Sequence, residues 1–149
     1  MAMMLQGERT IPAPPAAVWE RLLAPEVLRA CIPGCEALEL TDENVYSATV
    51  LIKVGPVKAR FSGGVTLADL DAPRSCWLAG QGSGGVAGFA KGGARIDLEP
   101  APEGTLLRYD ATVEIGGKIV ALGDRLFRSV VNNNVNAFFD AVAAGFGED

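Results

Sequence analysis

The sequence predicts an α+β domain in which a curved antiparallel sheet closes over one long C-terminal helix. Two observations lead there. Between residues 45 and 115 apolar residues recur with a period of two, interrupted by turn signals. On either side of that block the apolar period is 3.6, the spacing of a helix face.

Residues 4–11 (MLQGERTI) read as a short strand. Pro14 and Pro15 then suit a helix start, and Val18, Trp19, Leu22 and Leu23 form its apolar stripe. Pro25 opens a second short helix carrying Val27, Leu28, Cys31 and Ile32, which Pro33-Gly34 stops in a pair suited to a type II turn. In VYSATVLIKV, Tyr46, Ala48, Val50, Ile52 and Val54 share one face. Val57, Ala59, Phe61, Gly63, Val65 and Leu67 do the same after a Gly55-Pro56 turn. Ala94, Ile96 and Leu98 follow, then Leu107, Tyr109, Ala111, Val113 and Ile115. Such alternation means antiparallel strands with one buried and one wet face, six or seven of them in a meander. Gly116-Gly117 ends the sheet, and residues 118–145 return to helical spacing. About 28 residues of helix would span roughly 42 Å, enough to cross the whole sheet.

The 149 residues suit a single domain, 1–149, that buries roughly 68–70% of its unfolded surface. With 49% hydrophobic and 21% charged residues the chain is globular, not disordered. A net charge of −5 without a basic cluster argues against a nucleic-acid partner. No apolar run approaches the ~18 residues of a membrane span. The start, MAMMLQGER, lacks a signal-peptide pattern, so a cytoplasmic location is expected.

The chain has no histidine, which excludes Ser-His-Asp and Cys-His nucleophiles and imidazole-bound metals. Cys31-Ile-Pro-Gly-Cys35 has the look of a metal or redox pair, but zinc would need Cys76 and a fourth ligand; a turn flanked by small buried side chains is the expectation. Gly80–Gly85 formally satisfies G-x-G-x-x-G, yet strand patterns flank it on both sides, where a dinucleotide site needs a helix after it. Nine of the 18 glycines fall between Gly63 and Gly93; there glycine lets a sheet bend and leaves space above it. Lys91, Arg95, Asp97, Arg108, Asp110 and Glu114 read as a solvated cross-strand lattice. Paired carboxylates for acid–base work are not evident.

GERTIPAPPAAVW, PEVLRACIPGCEAL, VGPVKARFSG, GGVAGFAKGGARIDLEP and GGKIVALGDRL resemble, in order, the CoxG family of carbon monoxide dehydrogenase, within the START-like, helix-grip superfamily. The resemblance runs from about residue 4 to 146, and PEVLRACIPGC and GGKIVALGDRL are its specific parts. It implies seven strands wrapped around the C-terminal helix with an apolar cavity between them. It also implies a non-enzymatic partner of a molybdenum hydroxylase, associated with binding a quinone and with docking at the inner face of the cytoplasmic membrane. No covalently bound cofactor is expected. Two departures stand out: the chain stops just after its helix, where some relatives carry a membrane-associating extension. The stretch after GDRL, often Ala- and Lys-rich in relatives, holds asparagines here.

Those asparagines lie in VVNNNVNAFF, residues 130–139. Asn132 and Asn136 share the side of Arg125 and Arg128, and Asn133 lies at a stripe edge. Asn134 is four residues from Val130 and Phe138 and three from Val131, which puts it in the apolar stripe. Two roles are open to it: a bond to a sheet backbone group or water, or a single polar handle aimed at a ligand carbonyl. The candidate ligand contacts on the helix are Leu126, Phe127, Val130, Val131, Asn134 and Phe138. On the strands they are Tyr46, Val50, Ile52, Phe61, Phe89, Tyr109 and Val113. Three classes of function fit: a carrier of a hydrophobic ligand, an assembly factor whose cavity is incidental, and an enzyme like the superfamily's cyclases. The carrier leads, because inward positions are mainly apolar apart from Tyr46, Tyr109 and Asn134.

Thiol titration under denaturing conditions is expected to recover all three cysteines. Stoichiometric zinc by elemental analysis would show the turn reading of Cys31–Cys35 to be wrong.

Overall fold

A computed structural model describes residues 2–146. Strand β1 (Ala2–Ile11) is followed by helices α1 (Pro15–Leu23) and α2 (Pro25–Cys31). Strands β2 (Cys35–Asp42), β3 (Val45–Val54), β4 (Val57–Asp71), β5 (Ser75–Ser83), β6 (Phe89–Ala101) and β7 (Gly104–Gly116) come next, and helix α3 (Asp124–Ala144) closes the chain. One antiparallel sheet has the order β1-β7-β6-β5-β4-β3-β2. β1 and β2 are consecutive in the strand sequence yet lie at opposite edges, so α1 and α2 carry the chain across the mouth of the curved sheet.

Proline sets the joint between those helices. Each begins with proline at its first position, and Ala24 between them is extended at φ −73°, ψ 122°. Pro25 disfavours a helical conformation for the residue before it, so α1 must stop there and α2 restart in a new direction. The hairpins turn where the sequence places them, at Glu43-Asn44 and Gly55-Pro56, with Asn44 and Gly55 both at positive φ. Gly80–Gly85 is the end of β5 and the start of its hairpin, strand-flanked as read.

The glycines bend the sheet. A Cβ on Gly63 would collide with the Gln81 carbonyl of β5, and one on Gly92 with the Thr112 carbonyl of β7. These close backbone approaches let β4–β7 coil tightly. On the convex face Lys91 pairs with Glu114 at 3.7 Å, Arg95 with Asp97 at 3.1 Å, and Arg108 with Glu99 at 2.9 Å. All are exposed pairs, each worth about 0–1 kcal/mol.

Two apolar clusters hold α3 against the concave face. The first joins Met3, Val54, Phe61, Ile115, Ile119 and Phe127. The second joins Ile11, Ala13, Val18, Leu98, Leu107 and Phe139. Phe127 and Phe139 are twelve residues apart, roughly 18 Å along the helix. The inward positions of β5 and β6 include the cross-strand pairs Leu78 with Ala94, Gly80 with Gly92 and Gly82 with Ala90. The C-terminal end of α3 is tied further by the Arg9–Asp140 ion pair and by Arg21, whose Nε donates to the Val142 carbonyl at 3.1 Å.

The C-terminal helix is shorter than its periodicity predicts. Residues Lys118–Leu122 form a 3-10 turn and α3 begins only at Asp124, giving 21 residues and roughly 32 Å. Gly117 at φ +94° and Gly123 at φ +97° break the helix on either side of that turn. The apolar spacing of Ile119, Leu126 and Phe127 continues through the break, which is why the sequence reads as one helix.

Thr105 is a fully buried polar side chain, and its hydroxyl donates to the Ala13 carbonyl at 2.6 Å. Thr105→Val keeps the shape and removes the bond, leaving that carbonyl without its partner. The expected cost is about 2 kcal/mol, read as a fall in Tm of about 4–8 °C in a thermal melt.

Candidate functional site

Two adjoining hollows border the concave face of the sheet among the described residues. The first is a chamber of about 310 Å³. Trp19, Leu22 and Leu23 of α1 roof it together with Leu28 of α2 and Ile32 just beyond. Leu38, Tyr46, Ala48 and Val50 of β2 and β3 form one wall. Val65, Leu67, Cys76, Leu78 and Ile96 form the floor, and Phe138 and Phe139 of α3 close the remaining side. The second is an open trough of about 320 Å³ floored by Gly80, Gly82, Ala90, Gly92, Ala94 and Ala111. Val65 and Leu78 border both, so the trough runs on from the chamber.

The chamber's few polar atoms are quiet. The Tyr46 hydroxyl donates to the Leu23 carbonyl at 2.6 Å, tying β3 to the last turn of α1. Burial pushes the Tyr46 phenol above its ordinary range, and the nearby Cys76 adds to that. Burial likewise raises the Cys76 thiol, with Asp97 contributing. Both groups therefore stay protonated at neutral pH. The arrangement can solvate hydrocarbon; it offers no base and no activated nucleophile.

Cys31 and Cys76 are buried free thiols. Cys35 is partly buried, its thiol donating to the Ala37 carbonyl at 3.4 Å, and burial raises its pKa. Among the described residues no group of three or more potential ligands could hold a metal. A larger concavity, about 650 Å³, is a groove on the convex face whose lining includes Thr66, Gln81, Lys91 and Glu114. It is open and edged by charged side chains, and unsuited to enclosing an apolar molecule.

Of the residues singled out in the sequence, Tyr46, Val50 and Phe138 line the chamber, and Val113 borders the trough. Phe61 and Phe127 are instead core members of the first cluster, with Ile52, Val130 and Val131 packed against it. Tyr109 belongs to the second cluster: its ring stacks on Phe139 at 5.5 Å and leans across Gly7 of the paired strand. Two positions are corrected outright. Phe89 is 43% exposed, because inward Ala90 puts it on the convex side, where its ring lies over Gly116. Leu126 is 37% exposed in the first turn of α3, one residue off the buried stripe.

Asn134 is also exposed, not buried. The stripe's buried members are Phe127, Phe139 and Val142, with Val135 packed in the second cluster. Sequence reasoning missed Trp19, Leu22, Leu23, Leu28 and Ile32 as cavity residues. Their apolar stripes are plain in the sequence; that the two short helices cross the mouth of the sheet is not.

The family model for CoxG, a subunit of carbon monoxide dehydrogenase, matches residues 7–146. No curated protein sequence matches the chain. Among solved structures, a conserved protein from Geobacillus kaustophilus is 31% identical with a TM-score of 0.90, covering 97% of this chain and 95% of that one. An uncharacterised protein from Rhizobium leguminosarum is 18% identical with a TM-score of 0.72, covering 97% and 93%. The Zhui aromatase/cyclase of a Streptomyces species is 14% identical with a TM-score of 0.69, covering 97% and 93%. The last two likenesses concern the helix-grip fold alone. No helix among the described residues is long and apolar enough to cross a membrane. With the family match spanning the sheet, both short helices and α3, the chain belongs to the CoxG family of carbon monoxide dehydrogenase.

Proposed function

We propose that the protein is a non-enzymatic carrier of a hydrophobic small molecule, a quinone, in the service of a molybdenum hydroxylase of the carbon monoxide dehydrogenase type. The observation that carries this reading is the chamber. Sixteen residues line it, and apart from Tyr46 and Cys76 they present only hydrocarbon or an indole. Each methylene moved from water into such a space contributes about 0.8 kcal/mol. A prenyl tail therefore binds by burial alone, without a dedicated polar site. The volume is at the lower end for small-molecule pockets, and the trough extends the space available to a longer molecule.

Accessory rather than catalytic work is supported from two sides. The family is named as a subunit of carbon monoxide dehydrogenase. The chamber's phenol and thiol are both held protonated by burial, so neither serves as a base at neutral pH. The proposed partners are thus the quinone and the dehydrogenase, with a peripheral position at the inner face of the cytoplasmic membrane where such a ligand is obtained. Proposed ligand contacts are Tyr46, Val50 and Phe138 in the chamber, Val113 at the trough and Asn134 on α3, with Trp19, Leu78 and Ile96 added by the structure.

Organic extracts of protein purified from a quinone-producing host are expected to contain a sub-stoichiometric isoprenoid quinone by mass spectrometry. Added quinone analogues are expected to raise Tm by mass action, about 2.7 kcal/mol of stabilisation at a hundred times Kd. Clean extracts together with an unchanged Tm would leave the assembly-factor reading in its place.

A further inference from the structure

All four lysines of the chain, Lys53, Lys58, Lys91 and Lys118, are exposed and lie toward one end of the sheet. Lys53 and Lys58 flank the Gly55-Pro56 turn, Lys91 follows the β5–β6 hairpin, and Lys118 opens the 3-10 turn after β7. The strand register puts these segments side by side: Val54 pairs with Val57, Ser83 with Phe89, and Phe89 with Gly116. A Cβ on Gly55 would lie 3.0 Å from Leu126, so the start of α3, with Arg125 and Arg128, belongs to the same end. Lys53, Lys58, Lys118 and Arg125 make no ion pair with any described residue. The turns at the opposite end carry Asp42, Glu43, Asp71 and Glu103. A chain of net charge −5 is thus polarised, with one basic end.

The same end carries exposed hydrocarbon. Between β5 and β6 the chain makes a short 3-10 turn, Gly85–Ala87, and Val86 within it is 81% exposed. Phe89 and Leu126 add apolar surface at this end. Residues 80–90 include no charged side chain. Much of the hairpin's backbone is bonded within itself. The Gly84 amide donates to the Gly88 carbonyl at 2.8 Å, Gly88 to Gly85 at 3.1 Å, and Ala87 to Gly84 at 3.3 Å. Unpaired amides are what make a loop costly to take out of water, so a turn bonded in this way can enter a less polar layer.

We propose that this end is a docking face for an anionic lipid surface, with its lysines on the headgroup phosphates and Val86 inserted among the headgroups. The proposal rests on the peripheral position given above and adds the face and the lipid charge that hold it. Composition favours lipid over an acidic protein as the occupant. Protein interfaces are depleted in lysine and enriched in arginine and aromatic residues. Here lysine leads the unpaired cations, and the side chain at the turn is aliphatic. A compact charge on a flexible stem suits mobile headgroups, which offer no fixed fork to match. Each lysine near an anionic surface contributes about a five-fold gain in affinity. The acidic turns at the other end are repelled, which orients the molecule with its basic end toward the lipid.

The test uses the full chain and quinone-free vesicles in co-sedimentation, one set of phosphatidylcholine alone and one of equal parts phosphatidylcholine and phosphatidylglycerol. Binding is expected to the anionic vesicles and not to the neutral ones. It should be lost in about 1 M salt, where the screening length falls to ~3 Å. Lys53→Gln, Lys58→Gln and Lys118→Gln are each expected to weaken binding about five-fold, and the three together about a hundred-fold. Val86→Asp is expected to weaken it about ten-fold. Arg74→Gln makes the same change in net charge at the opposite end, beside Asp71, and should leave affinity within about two-fold. All these sites are exposed, and circular dichroism checks folding. Equal binding to neutral vesicles, or a loss in Arg74→Gln as large as in the lysine variants, would overturn the proposal. No binding to anionic vesicles would overturn it too, and would leave the basic end to an acidic protein surface. Because the vesicles hold no quinone, that failure is distinct from failure of the carrier reading, which the organic extracts decide.

Discussion

Everything at the concave face depends on how α3 is held: at two ends, and not in the middle. Phe127 is locked into one cluster and Phe139 into the other. Interiors normally close-pack, because a gap forfeits dispersion contacts on both of its walls. Here the two clusters act as abutments, and the inward floor of β5 and β6 is largely glycine and alanine. The helix cannot sink onto that floor without pulling both phenylalanines out of their clusters. A space is thus maintained by packing at its ends, with no side chain needed to prop it open.

The same small residues serve curvature and capacity together. At Gly63 and Gly92 the neighbouring backbone comes so near that no Cβ fits, so the strands can coil. At Gly82 a Cβ would make an ordinary contact at 3.7 Å, and at Gly80 it would press on the Val65 side chain at 3.3 Å rather than on backbone. Backbone geometry does not demand glycine there; the open volume above them does. The distinction separates residues that shape the sheet from residues that keep the trough empty. Substituting alanine in the first pair would damage the fold, whereas in the second it would mainly fill the site.

Much of the architecture was legible from period alone. Alternation identifies β3, β4, β6 and β7, and the proline positions identify both short helices, because each signal is local. The site was less legible, since it depends on what faces what. Tyr109 alternates inward, but its ring fills the space left by Gly7 across the β1–β7 pair and stacks on Phe139, facts of pairing rather than of spacing. Phe89 sits one residue out of phase with its strand, beyond a loop whose length the period cannot count. Asn134 illustrates a third limit. The spacing puts it in the apolar stripe, but Phe127, Val135, Phe139 and Val142 set the buried side of α3 and leave Asn134 facing water.

The placement of β1 has a consequence for the order in which the molecule is made. Strands β2 to β7 pair with neighbours in sequence and can form successively as hairpins. β1 cannot, because Ala2–Ile11 pairs only with Thr105–Glu114 near the far end of the chain. During synthesis the first strand leaves the ribosome with Met3, Leu5 and Ile11 unpartnered and waits until β7 arrives. Such long-range pairing slows folding and leaves an apolar strand edge open to other chains in the meantime. Glu8, Arg9 and Gln6, interleaved with those apolar residues, are the groups that keep the waiting segment in solution.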